Sequence, residues 1–153
     1  MPWGELMSYS NTFITVSTDC PVAVGVVPEV KKDKPTIASI EYELIASNPY
    51  EYTEKDVIYL RHLQHKCISS EELTARGTQI RDELFQKPQP CFRASMLPKK
   101  FGWGIHYNEE GKIALYGKES SEYEQFVENN NGEVKLLVAM RNSKLENNKV
   151  IVR

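Results

Sequence analysis

Apolar residues recur at helical spacing through the first half of the chain. Ile37, Ile40 and Leu44 fall on one face of a helix. Thr36, directly before them, is of a residue type that caps helix starts. This pattern predicts helices at 37–46, 54–66 and 70–86. The second of these has an open alternative, because its β-favouring run 57–59 is also typical of a strand.

Elsewhere the apolar pattern changes to the alternation that is typical of strands. Segment 12–17 is β-branched and alternating, and segment 91–96 alternates apolar with polar residues, so we predict a strand at each. A serine-capped helix is predicted at 122–128. Segment 134–140 fits either a helix or a last strand, and we take the helix as the prediction.

The clearest strand signal is a β-hairpin across 101–117. The turn sequence at 108–112 (NEEGK) suits a three-residue loop with Gly111 in the left-handed conformation. This loop pairs Asn108 with Lys112, and that pair determines the register of both strands.

The hairpin register sorts the side chains onto two faces. One face is apolar and is the predicted core face: Trp103, Ile105, Tyr107, Ile113 and Leu115. The opposite face carries Gly102, Gly104, His106, Ala114 and Tyr116. Because glycine has no side chain, we expect a shallow floor on this second face.

The predicted strand at 91–96 would extend the second face. With its apolar residues turned toward the core, its polar residues lie beside His106. The candidate ligand-binding residues are therefore Cys91, Arg93, Ser95, Gly102, Gly104, His106 and Tyr116. A purely structural interpretation is also open, in which Tyr116 covers Gly104 and Arg93 forms a surface salt bridge.

These elements predict an α+β fold with a small antiparallel sheet. The central hairpin at 101–117 would pack against helices from the N-terminal half. A chain of 153 residues is of single-domain size. We assign this domain to 7–141, expect 1–6 to be a dispensable extension, and expect 142–153 to be a loose tail.

Composition excludes several classes of protein. The net charge of −2 gives no basic excess for nucleic-acid binding, and no apolar run approaches the length of a membrane span. The N-terminus has no apolar secretory signal. Three cysteines form an odd set without C-x-x-C spacing, which favours a reducing compartment, so we predict a cytoplasmic protein.

Two further patterns bear on chemistry. A thiol nucleophile needs a neighbouring base, and the sheet prediction could bring His106 near Cys91. His62, His65 and Cys67 are of metal-ligating types. However, helical geometry turns the cysteine away and leaves too few ligands for zinc, so no metal and no cofactor are predicted.

Several short motifs resemble those of a known family. They are Asp19-Cys20-Pro21, Asn48-Pro49-Tyr50, QPCFRAS at 89–95, FGWGIH at 101–106 and GKIALY at 111–116. Together they resemble a family of short bacterial proteins that is catalogued as a domain of unknown function, over residues 7–144. The resemblance implies no activity, cofactor or catalytic residue.

The expected function is that of a non-enzymatic cytosolic module. Its ligand would be a small anion or a protein partner, bound at the face of Arg93 and His106, since a guanidinium suits carboxylate or phosphate. The alternative is a small enzyme that uses Cys91 or His106 as nucleophile or acid/base. Neither a nucleic-acid nor a membrane partner is expected, and the oligomeric state is open.

Overall fold

The computed structural model of the chain describes residues 9–30, 34–89, 91–128 and 132–142. These residues form five α-helices and a four-stranded sheet. The strands are β1 (Thr12–Thr15), β2 (Trp103–Tyr107), β3 (Ile113–Gly117) and β4 (Lys135–Val138). The helices are α1 (Ile37–Ala46), α2 (Glu54–His65), α3 (Ser70–Gln86), α4 (Met96–Lys100) and α5 (Ser121–Glu128). A 3₁₀ turn, Phe92–Ala94, precedes α4.

Local capping explains why the three N-terminal helices begin where they do. The side chains of Thr36, Thr53 and Ser69 each accept a hydrogen bond from a backbone amide in the first turn. The predicted bounds of α1 and α3 are confirmed, and α2 is a helix rather than a strand. Cys67, one of the metal-ligating residue types, is exposed after α2.

The sheet has the order β3-β2-β1-β4. The hairpin register is confirmed: Gly104 pairs with Tyr116 and His106 with Ala114. Gly111 has φ +82°, the left-handed conformation that the loop requires. β1 runs antiparallel to β2 but parallel to β4, so the α+β class is confirmed with a sheet that is mixed rather than purely antiparallel.

Two segments differ from the prediction. Segment 134–140 contains a strand, β4, because its β-favouring residues pair with the free edge of β1. Segment 91–96 is not a strand but forms the 3₁₀ turn and the start of α4. There the Ser95 hydroxyl accepts from the Leu97 amide, and Pro98 fits the first helical turn because its missing N–H has no acceptor there.

The sheet is covered on both sides. Ile105, Tyr107 and Ile113 are buried in the main core beneath α1 and α2, which confirms the predicted core face. On the other side, Phe13 and Tyr123 form a smaller core under α5. None of the helices in the described ranges is long and apolar enough to cross a membrane.

The predicted termini are only partly described. Asn142 is held in place, because its backbone amide donates to Asp19 and its side-chain amide donates to the carbonyl of Lys99. The remainder of the predicted tail, 143–153, and the predicted extension, 1–6, lie outside the described residues.

Gly104→Ala is expected to lower the free energy of unfolding by about 1–3 kcal/mol, the usual cost of overpacking a core. A methyl group at this position would lie 2.5 Å from Phe13 Cζ and 2.8 Å from Tyr123 Cε2. Urea unfolding measures the difference.

Gly77→Ala is the matched control for this substitution. Its added methyl group would lie 3.4 Å from Leu73 Cδ1, an ordinary contact, and alanine is favoured over glycine inside a helix. Arg76, the preceding residue, departs from helical geometry (φ −131°, ψ 18°), so we expect only a small effect, a change in stability of less than about 0.5 kcal/mol. Equal effects of the two substitutions would contradict the packing described for Gly104.

Candidate functional site

The residues of the predicted site lie on opposite sides of the sheet. His106 and Tyr116 share the α5 side, as the hairpin register predicts. Cys91 lies beside the side chain of Tyr9, whose ring packs against Tyr107. Tyr107 follows His106 in β2 and therefore points to the other face. The predicted pairing of Cys91 with His106 is wrong.

Arg93 and Ser95 also lie away from His106. Arg93 Nε donates to the carbonyl oxygen of Val138, at the end of β4, over 2.8 Å. The Ser95 hydroxyl donates to Glu41 Oε1 on α1 over 2.7 Å. The physical reason is that 91–96 turns into α4 instead of continuing the sheet, so these side chains never share a face with His106.

The expected glycine floor is filled. A side chain at Gly102 would meet the backbone carbonyl of Val24, and this glycine has φ +79°. Gly104 is covered by Phe13 and Tyr123. Aromatic rings therefore cover Gly104, as the structural interpretation expected, but they are the rings of Phe13 and Tyr123 rather than that of Tyr116.

His106 lies in a group of hydrogen-bonded side chains that packs against the ring of Phe126. We call it the His106 cluster, and it consists of Tyr50, His106, Tyr116 and Phe126. The Tyr50 hydroxyl lies 2.7 Å from His106 Nδ1 and 2.8 Å from the Tyr116 hydroxyl. The ring of Phe126 lies 4.4 Å from that of His106. Burial lowers the pKa of His106 below its ordinary 6.5, so the imidazole is neutral near pH 7 and gives an anion little attraction.

Tyr50 was not among the predicted site residues. Its backbone N–H donates to the carbonyl of Ile113 in β3, and its φ is +61°, which is uncommon for a residue other than glycine. The sequence carries a signal for it in Asn48-Pro49-Tyr50, where a turn follows α1. The partners of its hydroxyl, however, come from distant strands.

A buried carboxyl group, that of Glu54, lies on the main-core side of the sheet. Glu54 is the first residue of α2 and is only 2% exposed. Its two oxygens accept hydrogen bonds from the Tyr107 hydroxyl, over 2.6 Å, and from the Phe92 amide, over 3.1 Å. Burial raises the pKa of Glu54 to about 8.

Glu54 lies on the wall of a small cavity of about 170 Å³. We call it the Glu54 cavity, and its lining residues are Tyr9, Ser10, Thr53, Glu54, Tyr107, Glu109, Glu110 and Gly111. Sequence reasoning missed this site. Its elements are far apart along the chain, and Glu54 on its own reads as an ordinary first-turn acid of a helix.

A second opening in the described part of the chain is an apolar groove of about 790 Å³. We call it the Ile37 groove, and its apolar lining is formed by Val26, Val27, Pro35, Ile37, Ala38, Met96 and Phe101. Ile37 was expected to face the core, yet it is 44% exposed here. The polar side chains along the groove are Glu29, Lys34, Thr36, His65 and Lys100.

Backbone hydrogen bonds position one wall of the Ile37 groove. The amide of Val26 donates to the carbonyl of Phe101 over 2.8 Å, and Trp103 Nε1 donates to the carbonyl of Val26 over 2.8 Å. These bonds hold an extended apolar segment against the end of α4. Local sequence shows an apolar loop at 22–27 but not its contact with residues 101–103.

Within the described ranges, no group of three or more histidine, cysteine, aspartate or glutamate side chains could hold a metal ion. His65 and Cys67 are exposed at the end of α2, and His62 lies one helical turn before His65, but these three side chains do not form a group that could hold a metal ion.

Comparison with known proteins identifies a family but no activity. A family model described as a family of unknown function (DUF6157) matches residues 5–145. No curated protein and no solved structure matches the chain.

Proposed function

We propose that this chain, which belongs to the DUF6157 family of unknown function, is a non-enzymatic binding module for a small amphipathic anion. The ligand would place its apolar part in the Ile37 groove and its carboxylate or similar group at the lysines beside it. One observation carries the proposal: exposed apolar side chains converge in a single groove with cations along it. We also propose that it acts in the cytoplasm.

The size and lining of the Ile37 groove suit a small molecule. Ligand sites usually have volumes of about 300–1,000 Å³ and are mainly apolar, with a few polar groups that orient the ligand. Val27 is 54% exposed and Met96 is 39% exposed, so apolar surface remains in contact with water. A ligand that covers this surface gains free energy from its removal from water.

Charge favours an anion over a cation. Among the described lining residues, Lys34 and Lys100 supply two positive charges along the groove, and Glu29 supplies one carboxylate. An anionic ligand was also expected from the sequence, but at Arg93 and His106. Those two side chains lie apart, and the arginine Nε is occupied by a backbone carbonyl, so the groove is the better location.

Catalysis receives less support from the geometry. The enzymatic alternative uses Cys91 or His106 as nucleophile or acid/base. These residues lie on opposite sides of the sheet, so His106 does not serve as a base for the Cys91 thiol. A thiol that reacts with iodoacetamide rapidly and with a low apparent pKa would revive that alternative. We expect ordinary, slow labelling.

Isothermal titration with dodecanoate tests the proposed ligand class. We expect dodecanoate to bind more tightly than dodecanol or dodecyltrimethylammonium, each kept below its aggregation limit. Ile37→Asp removes apolar surface and adds a repelling charge, so affinity should fall at least about tenfold, or ~1.4 kcal/mol. Aspartate is well tolerated in the first turn of a helix, so this variant should fold.

Lys100→Gln tests the contribution of charge, with Lys99→Gln as the matched control. Lys100 lines the groove, whereas the adjacent Lys99 does not. Removal of an exposed cation partner should weaken dodecanoate binding by about twofold to fivefold. Equal effects of the two substitutions, or preference for the cationic amphiphile, would contradict the proposal. Binding of a protein partner alone would also overturn it.

A further inference from the structure

We propose that the Glu54 cavity is a second binding site, which takes a small ammonium-type cation. This inference goes beyond the proposed function and does not depend on it. The cavity lies over the main-core side of the sheet, and its lining shares no residue with the Ile37 groove.

Two aromatic walls suit a cation. The rings of Tyr9 and Tyr107 have centroids 5.2 Å apart and meet at an interplanar angle of 80°. Both side chains line the Glu54 cavity. Aromatic faces attract ammonium groups through the negative potential of their π-systems, and cages of this kind recognise methylated ammonium ions.

The wall beneath these rings carries a buried acid without a cation partner. Glu41, which is just as buried, is neutralised by Arg61 at 2.7 Å. Glu54 has only neutral donors, and in the described part of the chain no lysine, arginine or histidine forms a salt bridge with it. A bound cation would supply for Glu54 the charge that Arg61 supplies for Glu41.

The mouth of the cavity reinforces this charge preference. Glu109 and Glu110, both exposed, lie at the tip of the hairpin and line the opening, and none of the lining residues is basic. Lys112, whose Nζ is 3.5 Å from Glu110 Oε1, offsets only one of these carboxylates. A small anion would therefore meet acids both at the entrance and inside.

The volume limits the ligand to a few non-hydrogen atoms. A water molecule occupies about 30 Å³ in the liquid, so 170 Å³ corresponds to about five or six waters. Methylammonium, guanidinium and tetramethylammonium are of this size. Such a cation could be a free small amine or the head group of a methylated lysine side chain, which share this chemistry. Binding of acetyl-trimethyllysine amide, a model of the methylated side chain, distinguishes the second source from the first.

Cation binding should be coupled to release of a proton. Glu54 is mainly protonated at pH 7, and a cation beside it would favour the ionised form. The titratable groups around Glu54 are Tyr107 on β2, Glu41 on α1, Tyr9 before β1 and Cys91 before the 3₁₀ turn. The positive charge of Arg93 acts to lower the pKa of Tyr9.

Isothermal titration with tetramethylammonium chloride, against sodium chloride at equal ionic strength, tests the inference. We expect saturable binding with release of close to one proton at pH 7, measured by comparing buffers of different ionisation enthalpy. tert-Butanol, an uncharged molecule of similar shape, should not bind. Glu54→Gln should reduce affinity at least tenfold, whereas Glu128→Gln, an exposed acid on α5, should leave it unchanged.

Tyr9→Leu supplies an independent variant with the acid intact. Loss of one aromatic wall should weaken tetramethylammonium binding by about threefold or more. The affinity for dodecanoate should be unchanged in both Glu54→Gln and Tyr9→Leu, which would show that the Glu54 cavity is separate from the Ile37 groove. Equal binding of tert-butanol, or undiminished affinity in folded Glu54→Gln, would overturn the proposal.

Discussion

The wild-type protein is expected to lose about 2 kcal/mol of unfolding free energy between pH 6.5 and pH 9, and Glu54→Gln should lose almost none. Burial raises the pKa of Glu54 from 4.5 to about 8. The folded protein therefore holds a proton that the unfolded chain has released across this interval. Stability from this group is complete below pH 4.5 and is lost as the pH rises through about 8.

The interval separates Glu54 from the histidines and tyrosines whose pKa values are shifted. His62 and His106 have lowered pKa values, so their contributions to pH dependence fall below 6.5. Burial raises the pKa of Tyr9, Tyr50 and Tyr107 above 10, so their effects begin at higher pH. Glutamine is nearly isosteric with the protonated acid, and its amide can donate to Tyr107 while its oxygen accepts from Phe92.

Urea unfolding at several pH values between 6.5 and 9 measures this effect. The wild-type slope should approach about 1.4 kcal/mol per pH unit above pH 5 and vanish above pH 9. Glu54→Gln should be flat across the same interval. An identical alkaline loss in both proteins would assign the pH dependence to another group.

Arg61→Met is expected to lower the free energy of unfolding by about 3–5 kcal/mol. Arg61 Nη1 lies 2.7 Å from Glu41 Oε2, and the exposed fractions of the two side chains are 17% and 3%. Without the guanidinium, the buried carboxylate of Glu41 would keep, among the described residues, the Ser95 hydroxyl as its one side-chain donor. The loss arises from an uncompensated buried charge rather than from lost packing, since methionine retains most of the arginine stem.

A second substitution in the same protein tests this cause. Glu41→Gln combined with Arg61→Met removes both charges, and we expect it to recover a large part of the loss. No recovery would show that the guanidinium contributes by some means other than neutralising Glu41.

The exposed pair Arg76–Glu72 provides the matched control. Its separation is 3.0 Å, close to that of the buried pair, but its side chains are 42% and 44% exposed. Arg76→Met should change stability by less than about 1 kcal/mol, because water solvates both groups. Comparable losses at the two arginines would contradict the role assigned to burial.

Local contacts explain the success of the helix and hairpin predictions. Thr36 caps α1 through an amide three positions away, and Asn108 N bonds to Lys112 O across the turn. Such contacts are formed within a few residues, so the residue types at those positions specify them. The two faces of the hairpin followed directly from the register.

The same reasoning failed for Cys91 and for the last strand. Alternation at 91–96 suggested a strand, but burial of Phe92 and capping by Ser95 produced a 3₁₀ turn and a helix. Segment 134–140 became a strand because β1 offered an unpaired edge. A short apolar run fits either structure, and the surrounding packing decides between them.

The sequence by itself therefore determined the helix starts, the hairpin register and the presence of His106 and Tyr116 on one face. Only the tertiary structure decided that Arg93 lies elsewhere, that Glu54 is buried with no cation partner among the described residues, and that Ile37 borders a groove. The physical reason is distance along the chain. Glu54 receives its donors from residues 38 and 53 positions away, and no local pattern encodes that environment.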